Sequence, residues 1–180
     1  VDADGGDIVQ VIGPRKRTIG QALFSDRSQI PIRMLTLGDE PAGETLLRSR
    51  LQRAIEFRES LHLDATAYRL VHGEADLLPS LVIDRYADYL VVQTLSQGMD
   101  RLLPTITAAL HELLAPAGIL ARNDPKVRAL EGLEQTIQDL VDTGRPEQEI
   151  QRAAKDTGDL DRRRVGGVPL IVDVRPMSPT

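Results

Sequence analysis

From Ala67 to Thr94 the chain reads AYRLVHGEADLLPSLVIDRYADYLVVQT, and the spacing of its chain-breakers limits what this stretch can become. Short apolar, β-branched runs are interrupted by Gly, Pro and Asp. Each run is too short for a stable helix and about the length of a strand. The pattern predicts an antiparallel meander with strands at Tyr68 to His72, Leu81 to Asp84 and Tyr89 to Thr94. An acidic turn at Gly73 to Asp76 and a shorter turn at Arg85 to Asp88 separate them.

The flanks extend this reading. Upstream, Asp7 to Ile12, Thr18 to Ser25 and Gln29 to Leu37 read as three short strands. Gly20 marks a bulge or a close-packing point, and Pro31 marks an edge. Leu47, Leu51, Ala54, Ile55 and Leu61 share one face at helical spacing, so a helix is predicted over 44 to 62, with Arg48, Arg50, Arg53 and Arg58 elsewhere around the cylinder. Downstream, the stripe Met99, Leu102, Leu103, Ile106, Leu110, Leu113 and Leu114 predicts a helix over about 100 to 114, with Pro104 in its first turn and Pro116 to Gly118 ending it. Ile119 to Ala121 is a further short strand, and Val127 to Leu133 is one or two helical turns. Beyond Glu134 the sequence turns polar, with an exposed helix expected near Pro146 to Lys155 and a last strand at Val168 to Val174.

Three stretches, in order, carry a family resemblance: YRLVHGEADLLPSLVIDRY, DYLVVQ, and ARNDPKVRALEGLE at Ala121 to Glu134. They resemble the middle domain of bacterial ribosomal RNA large-subunit cytosine-5 methyltransferases. Those enzymes join a PUA RNA-binding domain, a small α/β middle domain and an S-adenosylmethionine-binding Rossmann domain. GDIVQVIGPRKRTIGQALFSDRSQIPIRMLT resembles the later strands of the PUA domain, without that domain's opening strand and helix. Ser80 stands where the family usually has Gly. The sequence opens on Val1 instead of Met and is expected to lack its natural beginning.

The implied fold class is α+β: a partial PUA-like β-barrel at 1–37, a linker helix within 38–64, and an antiparallel α/β middle domain at 65–175 with a polar insertion around 135–164. No Rossmann catalytic domain is expected in this chain. Cytosine-5 methylation uses a Cys thiolate to attack C6, and the chain has no Cys. It also lacks a Gly-rich strand-to-helix turn, since Gly166-Gly167 precedes a strand instead of following one. The resemblance therefore implies S-adenosylmethionine as cofactor of the full-length family and none in this chain, with no catalytic residue and no activity alone.

Composition bears on the partner. The net charge of −5 and pI near 5.2 do not advertise a nucleic-acid binder. The charge is uneven, however: Ile8 to Gly38 holds Arg15, Lys16, Arg17, Arg27 and Arg33 against one acid, Asp26. These five, with Arg122 and Asn123 after a buried strand, are the candidate RNA-binding residues, and ribosomal RNA is the expected partner. A solvated turn is the plain alternative for Arg15 to Arg17, and a turn closed by side-chain hydrogen bonds is the alternative for Arg122 to Asp124. The run Arg162 to Arg164 reads as solvated.

His72, Glu74, Asp76 and Asp84 near one hairpin raise a metal-dependent hydrolase as a lesser alternative. Their structural reading has Glu74 or Asp76 accepting turn amides and Asp84 paired with Arg85 or Arg122. Tyr68, Tyr86 and Tyr89 are expected in partly buried packing roles. A non-catalytic, truncated RNA-binding protein is the other alternative. The absence of Cys and of any long apolar run points to the cytoplasm and away from membranes. Exposed strand edges leave a homodimer open.

Overall fold

A computed structural model describes residues 2–141. The expected helix near 146–155, the run Arg162 to Arg164 and the strand at 168–174 lie outside the described residues.

Two sheets form. The first has three antiparallel strands in the order β1-β2-β3, with β1 at Ile8–Ile12, β2 at Thr18–Phe24 and β3 at Ile32–Met34. β3 is shorter than the expected Gln29 to Leu37 because the chain passes Pro31, which has no amide to give a ladder, and after Met34 leaves to cross β2. There the amides of Leu35 and Thr36 both bond Gln21 O, at 2.8 and 3.0 Å. That crossing runs over Gly20, where an added Cβ would stand 2.0 Å from Thr36 O. Gly20 is thus a close-packing point, and the β1–β2 register shifts beside it, between Val11 and Ile12.

Helix α1, Glu44–Ser60, buries Leu47, Leu51, Ala54 and Ile55 on one face, as the spacing predicts. Arg50 departs from its expected outer position: it is only 8% exposed. Its guanidinium donates to Leu35 O and Leu77 O, carbonyls that no ladder satisfies. Arg58 also turns inward and pairs with Asp76 at 2.7 Å.

The second sheet runs β4-β5-β6-β7-β8, with β4 at Ala67–His72, β5 at Leu81–Tyr86, β6 at Tyr89–Thr94, β7 at Gly118–Asn123 and β8 at Thr136–Val141. The meander is antiparallel through β6, but β6 and β7 are parallel, so this is a mixed sheet and not the purely antiparallel one expected. A helical crossover between them permits that direction. The crossover is two helices, α2 at Gln97–Arg101 and α3 at Leu103–Leu114. The single predicted helix is divided because Pro104 has no amide to donate to Asp100 O. Ser96 Oγ caps α2, and Ala115, at φ 42, ends α3.

β8 corrects the reading of the polar stretch after Glu134. Its residues are largely exposed at the sheet edge, so the apolar alternation that identifies inner strands is diluted. Ser80 adopts φ 64, the left-handed region where glycine costs least.

One apolar core spans both sheets. Leu23 and Leu35 join Leu47, Leu51 and Ile55 of α1, Leu70, Ile83, Leu90, Val92 and Ile119 of the second sheet, and Ile106 and Leu110 of α3. Gly98 on α2 makes this fit possible, since a Cβ there would lie 2.7 Å from the Leu23 Cβ.

Substituting Gly20→Ala should lower unfolding stability by about 3 kcal/mol, at the upper end of overpacking costs, because the obstructing atom is backbone. Chemical denaturation checks this, and a loss below about 0.5 kcal/mol would contradict the crossing.

Candidate nucleic-acid interface

Arg15, Lys16 and Arg17 sit on the hairpin turn between β1 and β2, and all three are exposed. The Arg17 amide bonds Pro14 O at 3.4 Å, and the Gly13 amide bonds Arg17 O at 2.8 Å. Arg15 and Lys16 both have left-handed backbone, at φ 60 and φ 58. Positive φ at both central residues is the mark of a type I′ turn, which suits the twist of a hairpin but favours Asn-Gly. Two long cationic side chains are unusual occupants, and each left-handed non-glycine residue costs about 1–3 kcal/mol. Among the described residues no hydrogen bond or ion pair holds the three side chains.

The other expected RNA-facing residues separate into two groups. Arg27 is exposed, with 72% of its side chain accessible; it lies 3.9 Å from Asp26, and its stem passes over Gly132. Arg122 is mostly covered and pairs with Asp124 at 3.1 Å. Arg33 and Asn123 are committed inside the protein, contrary to the expectation that they face RNA. Asn123 is 2% exposed, and its Oδ1 accepts the Thr94 amide at 2.9 Å, tying the end of β6 to β7. Arg33 Nη2 meets Glu131 Oε1 at 2.8 Å, and Nη1 donates to Ile30 O.

Glu131 is the centre of a clasp that sequence reasoning missed. It is 2% exposed and accepts from Ser25 Oγ at 2.7 Å, from Arg33, and from the Gln97 amide at 3.3 Å. The small sheet, α2 and the turn after β7 thereby meet at one carboxylate. Burial alone would raise its pKa, but hydrogen bonds from Ser28, Ser25 and the Gln97 amide, together with the charge of Arg33, outweigh that and hold it below the ordinary 4.5. Three residues earlier Arg128, 3% exposed, donates to Thr94 O, Thr94 Oγ1, Asp100 Oδ1 and Glu134 O. The signal was present in ARNDPKVRALEGLE: a cation and an anion three apart on a short 3-10 turn, Lys126–Glu131, with the same side facing in.

The hairpin acids are also accounted for. Asp76 pairs with Arg58 and accepts the His72 amide at 2.6 Å. Asp84 pairs with Arg69 at 2.9 Å, because β4 lies directly alongside and brings Arg69 opposite it. No group of three or more His, Asp or Glu among the described residues could hold a metal ion. Tyr89 is buried, and Tyr68 and Tyr86 are half-buried.

At the start of the β6–β7 crossover Gly98 packs against Leu23, Ser96 Oγ caps α2, and the Gln97 amide donates to Glu131. No helix among the described residues is long and apolar enough to cross a membrane.

Residues 1–37 match the family model of a PUA-like domain. A Tolumonas auensis protein, Ribosomal RNA large subunit methyltransferase I, is 38% identical over 133 residues, covering 72% of this chain and 34% of its own length. Its Aeromonas hydrophila namesake is 34% identical over 173 residues, covering 94% of this chain and 41% of its own. A Streptococcus mutans structure, provisionally described as a SAM-dependent methyltransferase, superposes with a TM-score of 0.67 at 19% identity, covering 82% of this chain and 37% of its own. That likeness concerns the fold. The fold and the N-terminal match define a PUA-like module joined to a small α/β unit. The chain corresponds to a partial region of the family of ribosomal RNA large subunit methyltransferase I, and it spans about a third of the length of the curated relatives it matches.

Replacing Glu131 by Gln should cost about 2 kcal/mol at neutral pH, because Arg33 is left facing a neutral amide. A carboxylate with a lowered folded pKa stabilises fully above its unfolded value near 4.5 and loses that contribution as pH falls through the folded value. The stability gap between wild type and variant should therefore begin to narrow as pH falls below 4.5 and close as it passes through the lower folded value, which denaturation at a series of pH values measures. A gap that persists in acid would rule out the ionised clasp.

Proposed function

We propose that this chain is the RNA-recognition and scaffolding portion of a protein like the ribosomal RNA (cytosine-5) methyltransferases, and that it binds structured ribosomal RNA. Residues 1–37 act as the gripping module, the helix within 38–64 as the link, and 65–175 as the α/β unit that sets the distance to a methyl-transferring domain. S-adenosylmethionine would serve that domain. The relatives' name supplies the substrate class, and the PUA-like match supplies the module.

The observation that carries the reading is the turn Arg15-Lys16-Arg17. Its two left-handed positions hold cations where Asn-Gly would be less strained, and its side chains have no partner among the described residues. Binding to phosphate gives such side chains a role that a solvated turn does not require. Arg27 extends the same segment's positive charge. Arg33 belongs to the clasp and is assigned to positioning.

Fluorescence anisotropy with a large-subunit ribosomal RNA fragment across a salt series tests this. The triple change of Arg15, Lys16 and Arg17 to Ala should weaken binding and reduce the slope of log affinity against log salt by roughly 2 to 3, about one for each phosphate no longer neutralised. The double change Arg15→Asn with Lys16→Gly should bind more weakly yet raise unfolding stability by at least about 1 kcal/mol, by relief of the turn. Equal binding by the triple variant would remove the patch from the interface.

A further inference from the structure

A small cavity lies between α1 and the turn that joins β4 to β5. It is lined by Arg50, Arg53, Ala54, Ala75, Asp76 and Leu77 and has a volume of about 180 Å³. That is below the roughly 300–1,000 Å³ of pockets that take drug-sized ligands, so its size suits a small group. Arg50 and Arg53 stand three residues apart on α1 and are neighbours on its surface.

These two cations lack a counterion among the described residues. Arg50 is 8% exposed, and its guanidinium donates to Leu35 O and Leu77 O, neutral acceptors that leave its charge unmatched. A buried charge is ordinarily paired. Burial lowers the Arg50 pKa; the charge of Glu40 opposes this and that of Arg53 adds to it. Arg53 is exposed, and Glu56, three residues further along α1, accepts from Gln52 instead. The one acid in the cavity wall, Asp76, is already neutralised. Its two oxygens receive Arg58 at 2.7 and 2.8 Å, and one also accepts the His72 amide.

We infer that this cavity binds a phosphate group, carried on an RNA backbone or free in solution. Guanidinium groups present paired N–H donors that match phosphate oxygens, and an anion here supplies the charge that Arg50 lacks. The RNA source rests on the function proposed above, and position favours it. Leu35, which accepts from Arg50, leads into the segment that crosses Gly20, and at the far end of that segment the Gly38 amide bonds Ile19 O at 2.8 Å. Ile19 follows closely on Arg17, so the basic turn and the cavity flank a single crossing.

Isothermal titration of the full 180-residue chain with inorganic phosphate, at constant ionic strength, tests the cavity without RNA. Wild type should bind saturably, one phosphate per chain. Arg53→Gln, a change at an exposed position, should weaken this at least about tenfold, the loss of one charged hydrogen bond. The triple change of Arg15, Lys16 and Arg17 to Ala should leave it unaltered. In the RNA salt series, Arg53→Gln should reduce the slope of log affinity against log salt by about one. Weakened phosphate binding with unchanged RNA binding would keep the cavity and assign free phosphate to it. A chain that binds phosphate but no RNA would refute the RNA reading alone. No saturable phosphate binding by folded wild type, or equal binding by Arg53→Gln, would overturn the proposal.

Discussion

The arrangement of this molecule depends on a buried carboxylate. Glu131 receives a serine, an arginine and a backbone amide from three separate elements. A charge this deep is tolerable only when its hydrogen-bonding capacity is met, so the small sheet, α2 and the turn after β7 must come together for any of them to be satisfied. Apolar burial supplies the bulk of the favourable free energy, but it is indifferent to modest sliding of one sheet over another. The carboxylate is not indifferent. It requires Ser25, Arg33 and Gln97 at hydrogen-bond distance, and that fixes how the two sheets are set.

Two further arginines extend the same logic. Arg50 reaches from α1 to carbonyls at the end of the small sheet and at Leu77, where the chain leaves regular structure. Arg128 closes the end of β6 against α2 and the turn that bears Glu131. Each guanidinium satisfies several acceptors that irregular backbone leaves open, which a lysine with its single nitrogen would do less well. Two groups of arginines stand apart: Arg33, Arg50, Arg58, Arg69 and Arg128, committed to internal carbonyls and carboxylates, and Arg15 and Arg17, exposed on the β1–β2 turn.

Much of the architecture was legible because it depends on local pattern. The β6 boundaries at Tyr89 and Thr94, the buried face of α1 at Leu47, Leu51, Ala54 and Ile55, and the role of Gly20 follow from periodicity and breakers. What was not legible depends on partners distant in sequence. Arg33 and Glu131 are 98 residues apart, and Arg50 lies 27 residues from Leu77; nothing local names the partner that each one meets. Asn123 looked like a turn residue and proved to be a cross-strand tie, because its acceptor serves Thr94 on the neighbouring strand. β8 was hidden by its position at an edge, where polar residues are tolerated on both faces.

The acidic total charge is compatible with an RNA-facing turn for a reason of range. At physiological ionic strength the screening length is about 8 Å, so a phosphate at the β1–β2 turn responds chiefly to charges within that distance. Acids such as Asp76, Asp84 and Glu131 are neutralised by arginines beside them and project little field outward. The arginines drawn inside thus do two things at once: they hold the sheets in register, and they quench the negative charge that would otherwise oppose the exposed cations of Arg15, Lys16 and Arg17. A count of charged residues weighs all of these equally, whereas the fold does not.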